Sequence, residues 1–296
     1  GLDYNTVKDE FPKLIYAHFS GYGPKGTASN YPGFDSTAFW LRSGPMADWQ
    51  VEGSFPMYPT YAFGDIAPSN AFLSGILMAI VGREKTGQGT LVNGSLFASG
   101  IWCNSIAIIE SQPQFGKLLK PIPERPVDPF SAVYECKGGN WIGFYCNEYV
   151  RDLEKFANLL GVQDIMDNPR CKDVPTLYET GAIEEVTARV KDIMLTKTAE
   201  ELNRIFIENN VSNEIVRKTC DVHKDEQAIV NEFIKEVEFA DGIKVMMPMP
   251  PVKFSNYEAR EYTPTGKIGE HTDEVLAGLG YSLKEITAMK KKNIIA

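Results

Sequence analysis

The sequence lacks the residue spacings that hold metal ions. Its three histidines lie far apart, and its five cysteines include no C-x-x-C pair. Zinc and iron–sulfur sites take several such ligands at short, regular spacings. We therefore expect no metal site. An odd number of dispersed thiols in 296 residues is also typical of a reducing compartment, so we expect a cytoplasmic protein.

Positive charge is also scarce. The chain has 30 Lys and Arg residues against 39 Asp and Glu residues, which gives a formal net charge of −9. Nucleic-acid-binding proteins carry a basic face, so we expect no nucleic-acid partner. A small polyanionic ligand would need a local cluster of Lys or Arg.

Long, purely apolar runs and a signal-peptide pattern are missing as well. The first residues, Gly1-Leu2-Asp3-Tyr4, are polar. The uncharged stretches 66–82 and 86–109 are interrupted by Gly, Ser or Asn, and by Pro68 in the first of them. A membrane-spanning helix needs about 20 predominantly apolar residues. We therefore interpret both stretches as buried helices and expect no membrane partner.

One aspartate stands directly before the first of these runs. Asp65 follows Gly64, and Pro68 comes three residues later, ahead of the apolar run 71–81. Proline suits a first helical turn, where its missing N–H costs nothing. The pattern predicts a buried helix that Asp65 caps. Two roles stay open: a plain cap, or a carboxylate held ionised beside donors for a developing oxyanion.

A strand-like run at residues 13–19 ends in a glycine-rich turn at residues 20–24. Ligands often bind at the carboxyl ends of strands in parallel sheets. We expect His18 to be a packed strand residue rather than a base. The polar stretch 83–89 predicts a turn; it is not a phosphate loop, because Gly87 is followed by Gln88 instead of Lys and Ser or Thr.

Aromatic and large apolar residues are dense between residues 40 and 63. Trp49, Phe55, Met57 and Tyr58 lie there. Two interpretations remain open, which are a packed loop and the wall of an apolar pocket.

The second half of the chain has clear local signals. Prolines at 121–129 predict a linker, and the runs 132–136 and 141–145 around Lys137-Gly138-Gly139-Asn140 predict a hairpin. Four helices are then expected, followed by a proline-marked boundary and a helical tail. The four helices are indicated by Glu148 with a stop at Gly161, by the apolar stripe 183–193, by the capping box Thr198–Glu201 and by the run 222–234. Prolines at 248–251 mark the boundary, and a second capping box at Ser282–Glu285 opens the last helix of the tail.

Taken together, several stretches resemble the class III coenzyme A transferases, also called the CaiB/BaiF type. No single motif decides this, but their order and spacing do, and the resemblance covers the whole chain. The stretches are residues 12–16, 20–23, 33–35, 64–65, 75–79, 83–89 and 269–280.

The resemblance implies a mechanism in which Asp65 is the nucleophile. Its carboxylate attacks the thioester of the donor acyl-CoA, and the reaction proceeds through an acyl-aspartyl anhydride and an aspartyl-CoA thioester. Coenzyme A thioesters are then substrates, and no bound cofactor is expected. The alternative within the superfamily is an α-methylacyl-CoA racemase. Racemases have a histidine where this chain has Phe34, and proton exchange at carbon needs such an acid–base group, so the transferase is favoured.

The resemblance also implies a set of substrate-contacting residues. Gly33, Phe34 and Asp35 are expected near the thioester end of CoA, and Gly21 and Tyr22 in the turn after the first strand. Asp35 as a plain turn residue remains an equal alternative.

The implied architecture is an α/β fold of an interlocked homodimer. A Rossmann-like large domain would comprise residues 1–122 and 248–296, with a small α/β domain at 123–247 inserted. Family members have roughly a hundred further residues before the point matching Gly1, which is domain-scale. We therefore expect a fragment or split subunit with a further N-terminal polypeptide that carries most basic CoA contacts. A non-catalytic partner subunit is an alternative.

The substrate class follows from two departures within the family. Formyl-CoA transferase has a glycine run where this chain has residues 123–130, which counts against formate or oxalate. The long aromatic segment 40–63 resembles that of transferases for (R)-2-hydroxyacids such as 2-hydroxyisocaproate or aryllactates. These enzymes serve amino-acid fermentation, and the enoyl-CoA is the expected donor.

Overall fold

A computed structural model describes residues 1–51, 53–57, 62–115, 128–239, 242–256 and 266–295. These residues form a mixed α/β structure. The helices are α1 (Tyr4–Val7), α2 (Pro45–Asp48), α3 (Phe63–Thr86), α4 (Leu96–Cys103), α5 (Ser105–Glu110), α6 (Tyr149–Leu160), α7 (Val174–Thr180), α8 (Ala182–Met194), α9 (Ala199–Glu208), α10 (Thr219–Val222), α11 (Glu226–Val230), α12 (Thr272–Gly278) and α13 (Leu283–Lys291), with a π-helix at Asp35–Leu41. The strands are β1 (Ile15–Ser20), β2 (Thr90–Ser95), β3 (Ser131–Glu135), β4 (Trp141–Tyr145), β5 (Ser212–Ile215), β6 (Ile234–Glu238) and β7 (Lys244–Pro248).

The first half is built on a parallel pair of strands. β1 and β2 pair from Ile15 opposite Thr90 to Ser20 opposite Ser95. α3 covers one face of this pair, where Phe19 and Phe72 meet edge to face with ring centroids 5.0 Å apart. The strand predicted at residues 13–19 is confirmed, and it begins two residues later than expected. His18 is not packed: it is exposed on the other face, where Nδ1 lies 3.0 Å from Oδ1 of Asn93.

A small core holds the π-helix against α4. Ala38, Phe39 and Trp40 are buried there with Met46 and Leu96. Gly100 on α4 permits the close approach, because a Cβ at that position would lie 2.9 Å from the carbonyl oxygen of Phe39. The π-helix that bears Asp35 is therefore anchored from behind by apolar side chains.

The second half has a larger core of its own. β3, β4 and β5 form an antiparallel sheet, so the predicted hairpin is confirmed. Aromatic side chains fill the space between this sheet and α6 and α9, with Phe144 and Phe206 rings 4.9 Å apart. α6 ends at Gly161 in the left-handed conformation (φ 71°), and α9 and α13 each begin with the expected capping box.

The helix expected over residues 222–234 is wrong in extent. Within it, Val222 ends α10 and Glu226–Val230 form α11, and Ile234 already begins β6, which pairs antiparallel with β7. Asn231, Glu232 and Phe233 separate α11 from β6, and Glu232 has a positive φ of 54°, which interrupts a helix.

The helix that carries Asp65 differs from its prediction in three ways. α3 begins at Phe63, behind the left-handed Ala62, so Asp65 is its third residue and not its cap. Pro68 consequently lies in the second turn rather than the first. The helix also runs on to Thr86, where Gly87 (φ 71°) ends it, so the predicted turn at 83–89 begins four residues too early.

α3 is also not the buried helix that the sequence predicted. Its side chains away from the strands face solvent because the described residues cover one side only. By length and composition it is the one helix among the described residues that could cross a membrane, and 17% of its most apolar window is buried. The large apolar side chains of α3 that are about half exposed or more are Phe63, Ile66, Leu73, Leu77, Met78 and Val81.

Candidate active site

Two glycine turns meet at the carboxyl end of β1. A Cβ on Gly21 would lie 2.7 Å from the Cα of Gly33, which is closer than any side chain tolerates. The chain turns sharply here because the Ser20 hydroxyl accepts a hydrogen bond of 3.1 Å from the N–H of Gly23, which has a φ of 92°. Bare backbone is needed at this crossing, which explains glycine at both positions.

Asp35 begins the π-helix directly after this crossing. The N–H of Phe34 donates to Oγ1 of Thr37 at 2.9 Å and fixes the entry into the helix. The Asp35 carboxylate then reaches the backbone of Gly64. A Cβ on Gly64 would overlap this carboxylate and would lie 2.7 Å from the Phe39 ring. Glycine at position 64 therefore permits the start of α3 to contact Asp35.

The two carboxylates of Asp35 and Asp65 are electrostatic neighbours. Burial raises the pKa of Asp35, and the charge of Asp65 raises it further; the Gly64 N–H and the Trp40 indole oppose this rise to a lesser degree. Oδ1 of Asp35 is buried and makes no hydrogen bond of good geometry, and the same is true of Nε1 of Trp40. Asp35 thus holds its proton more readily than an aspartate in water.

Asp65 itself is exposed in the first turn of α3. Its N–H donates to the carbonyl of Ala62 at 3.0 Å, and its own carbonyl accepts from the Ser69 hydroxyl at 2.7 Å. The side chain lies exposed at the positive end of the helix dipole, which favours an anion. This position combines an accessible nucleophile with a favourable field, although it is not the predicted cap.

The six predicted site residues lie in one continuous patch. They are Gly21, Tyr22, Gly33, Phe34, Asp35 and Asp65. Tyr22 packs beside the crossing, since a Cβ on Gly33 would lie 3.3 Å from its ring. Phe34 is 67% exposed and available to a ligand. The turn after β1, the start of the π-helix and the start of α3 together position the patch.

Sequence reasoning missed one basic residue beside this patch. Arg42 follows the π-helix, and its guanidinium carbon lies 4.9 Å from the Tyr22 ring centroid and 5.1 Å from that of Phe97. A signal was present in the sequence, because Arg42 is the one charged residue between Asp35 and Asp48.

The proposed aromatic wall does not form a pocket from the described side chains. Trp49 packs edge-on against Trp40, with ring centroids 5.4 Å apart, while Phe55 is 84% exposed and Met57 is 47% exposed. Tyr58 lies outside the described residues. Trp49 is itself 49% exposed, so its packing is limited to this contact with Trp40.

An apolar cavity of about 310 Å³ lies instead between α3 and α4. Ala67, Ala71 and Phe72 line it from α3, and Ala98 and Trp102 line it from α4. Small residues on facing helices leave this space open, and the spacing of Ala67 and Ala71 by one helical turn could have indicated it.

Comparison with known proteins assigns the chain to a family. A model of CoA-transferase family III matches residues 1–272. The chain belongs to CoA-transferase family III. It is an enzyme, a CoA-transferase, and enzymes of this kind use CoA thioesters as substrates. Among the described residues of this family III chain, no group of His, Cys, Asp or Glu could hold a metal ion.

Individual relatives agree with this assignment. The (R)-2-hydroxy-4-methylpentanoate CoA-transferase of Clostridioides difficile is 31% identical over all of this chain and 73% of its own length. The cinnamoyl-CoA:phenyllactate CoA-transferase of Clostridium sporogenes is 30% identical over 98% of this chain and 71% of its own. A crystal structure of a CAIB/BAIF family protein from Brucella suis matches 94% of this chain and 71% of that protein, with 21% identity and a TM-score of 0.74. The family resemblance read from the sequence is therefore confirmed, and so is the mixed α/β fold.

Proposed function

We propose that this enzyme moves CoA from an acyl- or enoyl-CoA donor to a hydrophobic 2-hydroxy carboxylic acid, with Asp65 as nucleophile. The observation that carries the proposal is the exposed Asp65 carboxylate at the start of α3, next to the half-buried Asp35 and the Gly21–Gly33 crossing. The relatives of 31% and 30% identity support this substrate class, since both are named for transfer of CoA to 2-hydroxyacids.

The proposed reaction passes through two anhydrides. The Asp65 carboxylate attacks the donor thioester carbon, the C–S bond breaks, and CoA leaves as a thiolate. The thiolate attacks the Asp65 acyl carbon, which forms aspartyl-CoA thioester and releases the donor acid. The acceptor carboxylate then expels CoA again, and the thiolate takes the acceptor acyl group and regenerates Asp65. A carboxylate nucleophile needs no partner base, and this route uses no metal or organic cofactor.

The surrounding backbone supplies what the oxyanions of this route need. The first N–H groups of α3 point towards the helix start, where the dipole favours negative charge. We propose that Gly21, Tyr22, Gly33, Phe34 and Asp35 contact the thioester end of CoA. Their gathering around Asp65 supports this role, because the Gly21–Gly33 crossing brings the turn after β1 beside the start of the π-helix.

We further propose that additional polypeptide covers the exposed side of α3, whose apolar side chains face solvent, and the open face of the β1–β2 pair. β1 and β2 form a parallel pair in which α3 covers one face, whereas parallel sheets are normally covered on both faces. Homodimerisation and an additional segment of roughly a hundred residues, a domain-scale length, would both supply such cover. We also propose a large domain from residues 1–122 and 248–296 around a small domain at 123–247; the separate core of the second half supports it.

Mass spectrometry tests the proposed chemistry. The protein is incubated with an acyl-CoA donor, quenched and digested, and a thioester or acyl adduct is expected on the peptide that contains Asp65. Asp65→Asn should abolish the adduct, while Asp35→Asn should leave it detectable. An adduct elsewhere, or full turnover by Asp65→Asn, would rule the nucleophile out. A panel of aliphatic and aryl 2-hydroxyacids then defines the acceptor, and absence of deuterium exchange at the α-carbon excludes racemisation.

A further inference from the structure

Arg42 is held in place by two aromatic rings beside the proposed site. Its guanidinium lies near both Tyr22 and Phe97, whose ring centroids are 6.4 Å apart and whose planes are tilted by 55°. A cation over ring faces gains electrostatic attraction and loses side-chain freedom. The side chain is therefore pre-organised before any ligand arrives.

The hydrogen-bonding capacity of Arg42 is not used by the described part of the chain. An arginine has five N–H donors, and no side-chain hydrogen bond or ion pair engages those of Arg42 there. Two other arginines of the described chain engage carboxylates: Arg170 lies 2.8 Å from Glu185, and Arg189 lies 2.7 Å from Asp164. Arg42 is also exposed, so its donors can reach an incoming molecule.

Arg42 lies beside the proposed site because both rings that it contacts, Tyr22 and Phe97, belong to or touch the glycine crossing. Tyr22, over which it lies, follows Gly21 in the glycine crossing. Phe97 is tied to the same crossing, because its N–H donates to the carbonyl of Gly21 at 3.0 Å. Gly33, on the other side of the crossing, precedes Asp35 by two residues. A ligand that approaches Asp65 along this patch passes a fixed cation in an otherwise acidic protein.

We propose that Arg42 binds an oxyanionic group of a substrate. This inference rests on the proposed function in one respect, namely that the patch is the substrate site. The planar guanidinium matches phosphate and carboxylate oxygens with two parallel hydrogen bonds. Two sources carry that chemistry: the phosphates of CoA and the carboxylate of the acceptor acid.

Steady-state kinetics of Arg42→Lys and Arg42→Gln tests the inference. Lysine keeps the charge but cannot form two parallel hydrogen bonds. We expect KM for one substrate to rise about 10-fold in Arg42→Lys and about 100-fold in Arg42→Gln, with kcat changed less, as charge-assisted hydrogen bonds of this strength predict. The matched control is Arg204→Lys on α9, an exposed arginine of the second half, which should leave both KM values unchanged.

Kinetics with different donor substrates identify which oxyanionic group Arg42 binds. If phosphate is bound, the defect disappears with an acyl-pantetheine thioester, which has no phosphate, and appears with acyl-CoA. If the carboxylate is bound, the KM of the acceptor acid rises with either donor. Unchanged KM values for both substrates, together with a lower unfolding temperature, would overturn the inference and leave Arg42 a structural residue.

Equilibrium binding separates this inference from the proposed mechanism. Calorimetric titration with CoA, and separately with the acceptor acid, requires no turnover. Weaker binding of either ligand to Arg42→Gln supports the inference even if Asp65 forms no adduct. Equal binding to wild type and Arg42→Gln, or no binding of either ligand to the wild type, contradicts it whatever the adduct experiment shows.

Discussion

Asp65 presents an exposed side chain, so its replacement changes the chemistry of the patch without disturbing packing. We expect Asp65→Asn to lower kcat/KM by about 10³-fold or more, the size of effect seen when a nucleophile is removed. The free energy of unfolding should stay within about 0.5 kcal/mol of wild type, as for other surface substitutions. Transferase assays and urea denaturation of the same preparations check both. Equal activity would show that Asp65 does no chemistry.

The raised pKa of Asp35 predicts a pH-dependent effect on stability. Ionising Asp35 is costlier in the folded state than in the unfolded state, so its contribution to stability is fully present below the ordinary Asp pKa and is lost as pH rises through the raised value. Asp35→Asn removes that cost. The variant should therefore be more stable than wild type at pH 7.5, with the difference vanishing near pH 3.

Urea midpoints measured from pH 3 to pH 8 check this dependence. A variant at Asp35 that is less stable than wild type at pH 7.5 would mean that the ionised carboxylate has an unseen favourable partner.

For single residues, the sequence indicates which side chains are candidates for the site more readily than it indicates what those side chains contact. Asp65 and Asp35 stand out because of their neighbours in the chain, Gly64 and Gly33, and both reach the patch. Arg42 was missed because its isolation among uncharged neighbours does not by itself indicate what its side chain contacts. Its significance depends on Tyr22 and Phe97, which are 20 and 55 residues away in sequence.

The crossing of two glycine turns gives a prediction at the scale of the element. In Gly21→Ala the new methyl group meets the backbone of Gly33, which has no flexible side chain to move aside. We expect a loss of about 1–3 kcal/mol of unfolding free energy, the usual cost of overpacking, and reduced activity because Tyr22 shifts. Thermal unfolding and activity assays measure both effects.

Gly82→Ala is the matched control for this substitution. Gly82 lies in α3, and a Cβ there would meet no atom within 4 Å. Alanine in a helix is favoured over glycine by about 0.5–1 kcal/mol, so this variant should be as stable as wild type or more stable. If both variants behaved alike, the crossing would be looser than its geometry indicates.

Helix ends that depend on local capping residues could be predicted from the sequence. Helix ends and helix types that depend on tertiary contacts could not. The capping boxes at Thr198 and Ser282 and the stop at Gly161 all act within one turn, so sequence alone was enough. The start of α3 is different, because Ala62 takes a left-handed conformation that no side-chain preference announces. The π-helix likewise has no sequence signature, since it depends on packing against α4.

For the whole molecule, the exposed side of α3 predicts association. Met78 is 69% exposed on this helix among several apolar neighbours, a surface larger than single scattered side chains. We expect the protein to self-associate or to bind further polypeptide at micromolar concentration. Met78→Lys should shift the mass distribution towards the single chain while helical content is kept.

Native mass spectrometry and sedimentation velocity check this outcome. The control is Ile207→Lys on α9, a similarly exposed apolar residue at 60% that lies outside this surface, and it should leave the distribution unchanged. A wild-type protein that sediments as a single chain at every concentration would contradict the prediction.

The family and the mixed fold followed from the sequence, but the burial of α3 did not. An apolar run such as 71–81 predicts that a helix is buried, but it does not predict which surface buries it. Where the covering surface lies outside the described residues, a helix expected to be buried is exposed, as α3 is. Hydrophobic pattern thus predicts the need for a partner without distinguishing contacts within this chain from contacts with another.

The π-helix has a consequence for the placement of charge. Asp35 and Arg42 are seven residues apart, which is close to two full turns of an α-helix, so in that geometry they would share one face. A π-helix closes its hydrogen bonds over five residues and has wider turns, so seven residues fall short of two turns. The π-helix thereby separates a carboxyl group and a guanidinium that α-helical winding would bring together, so each can contact a different part of a ligand.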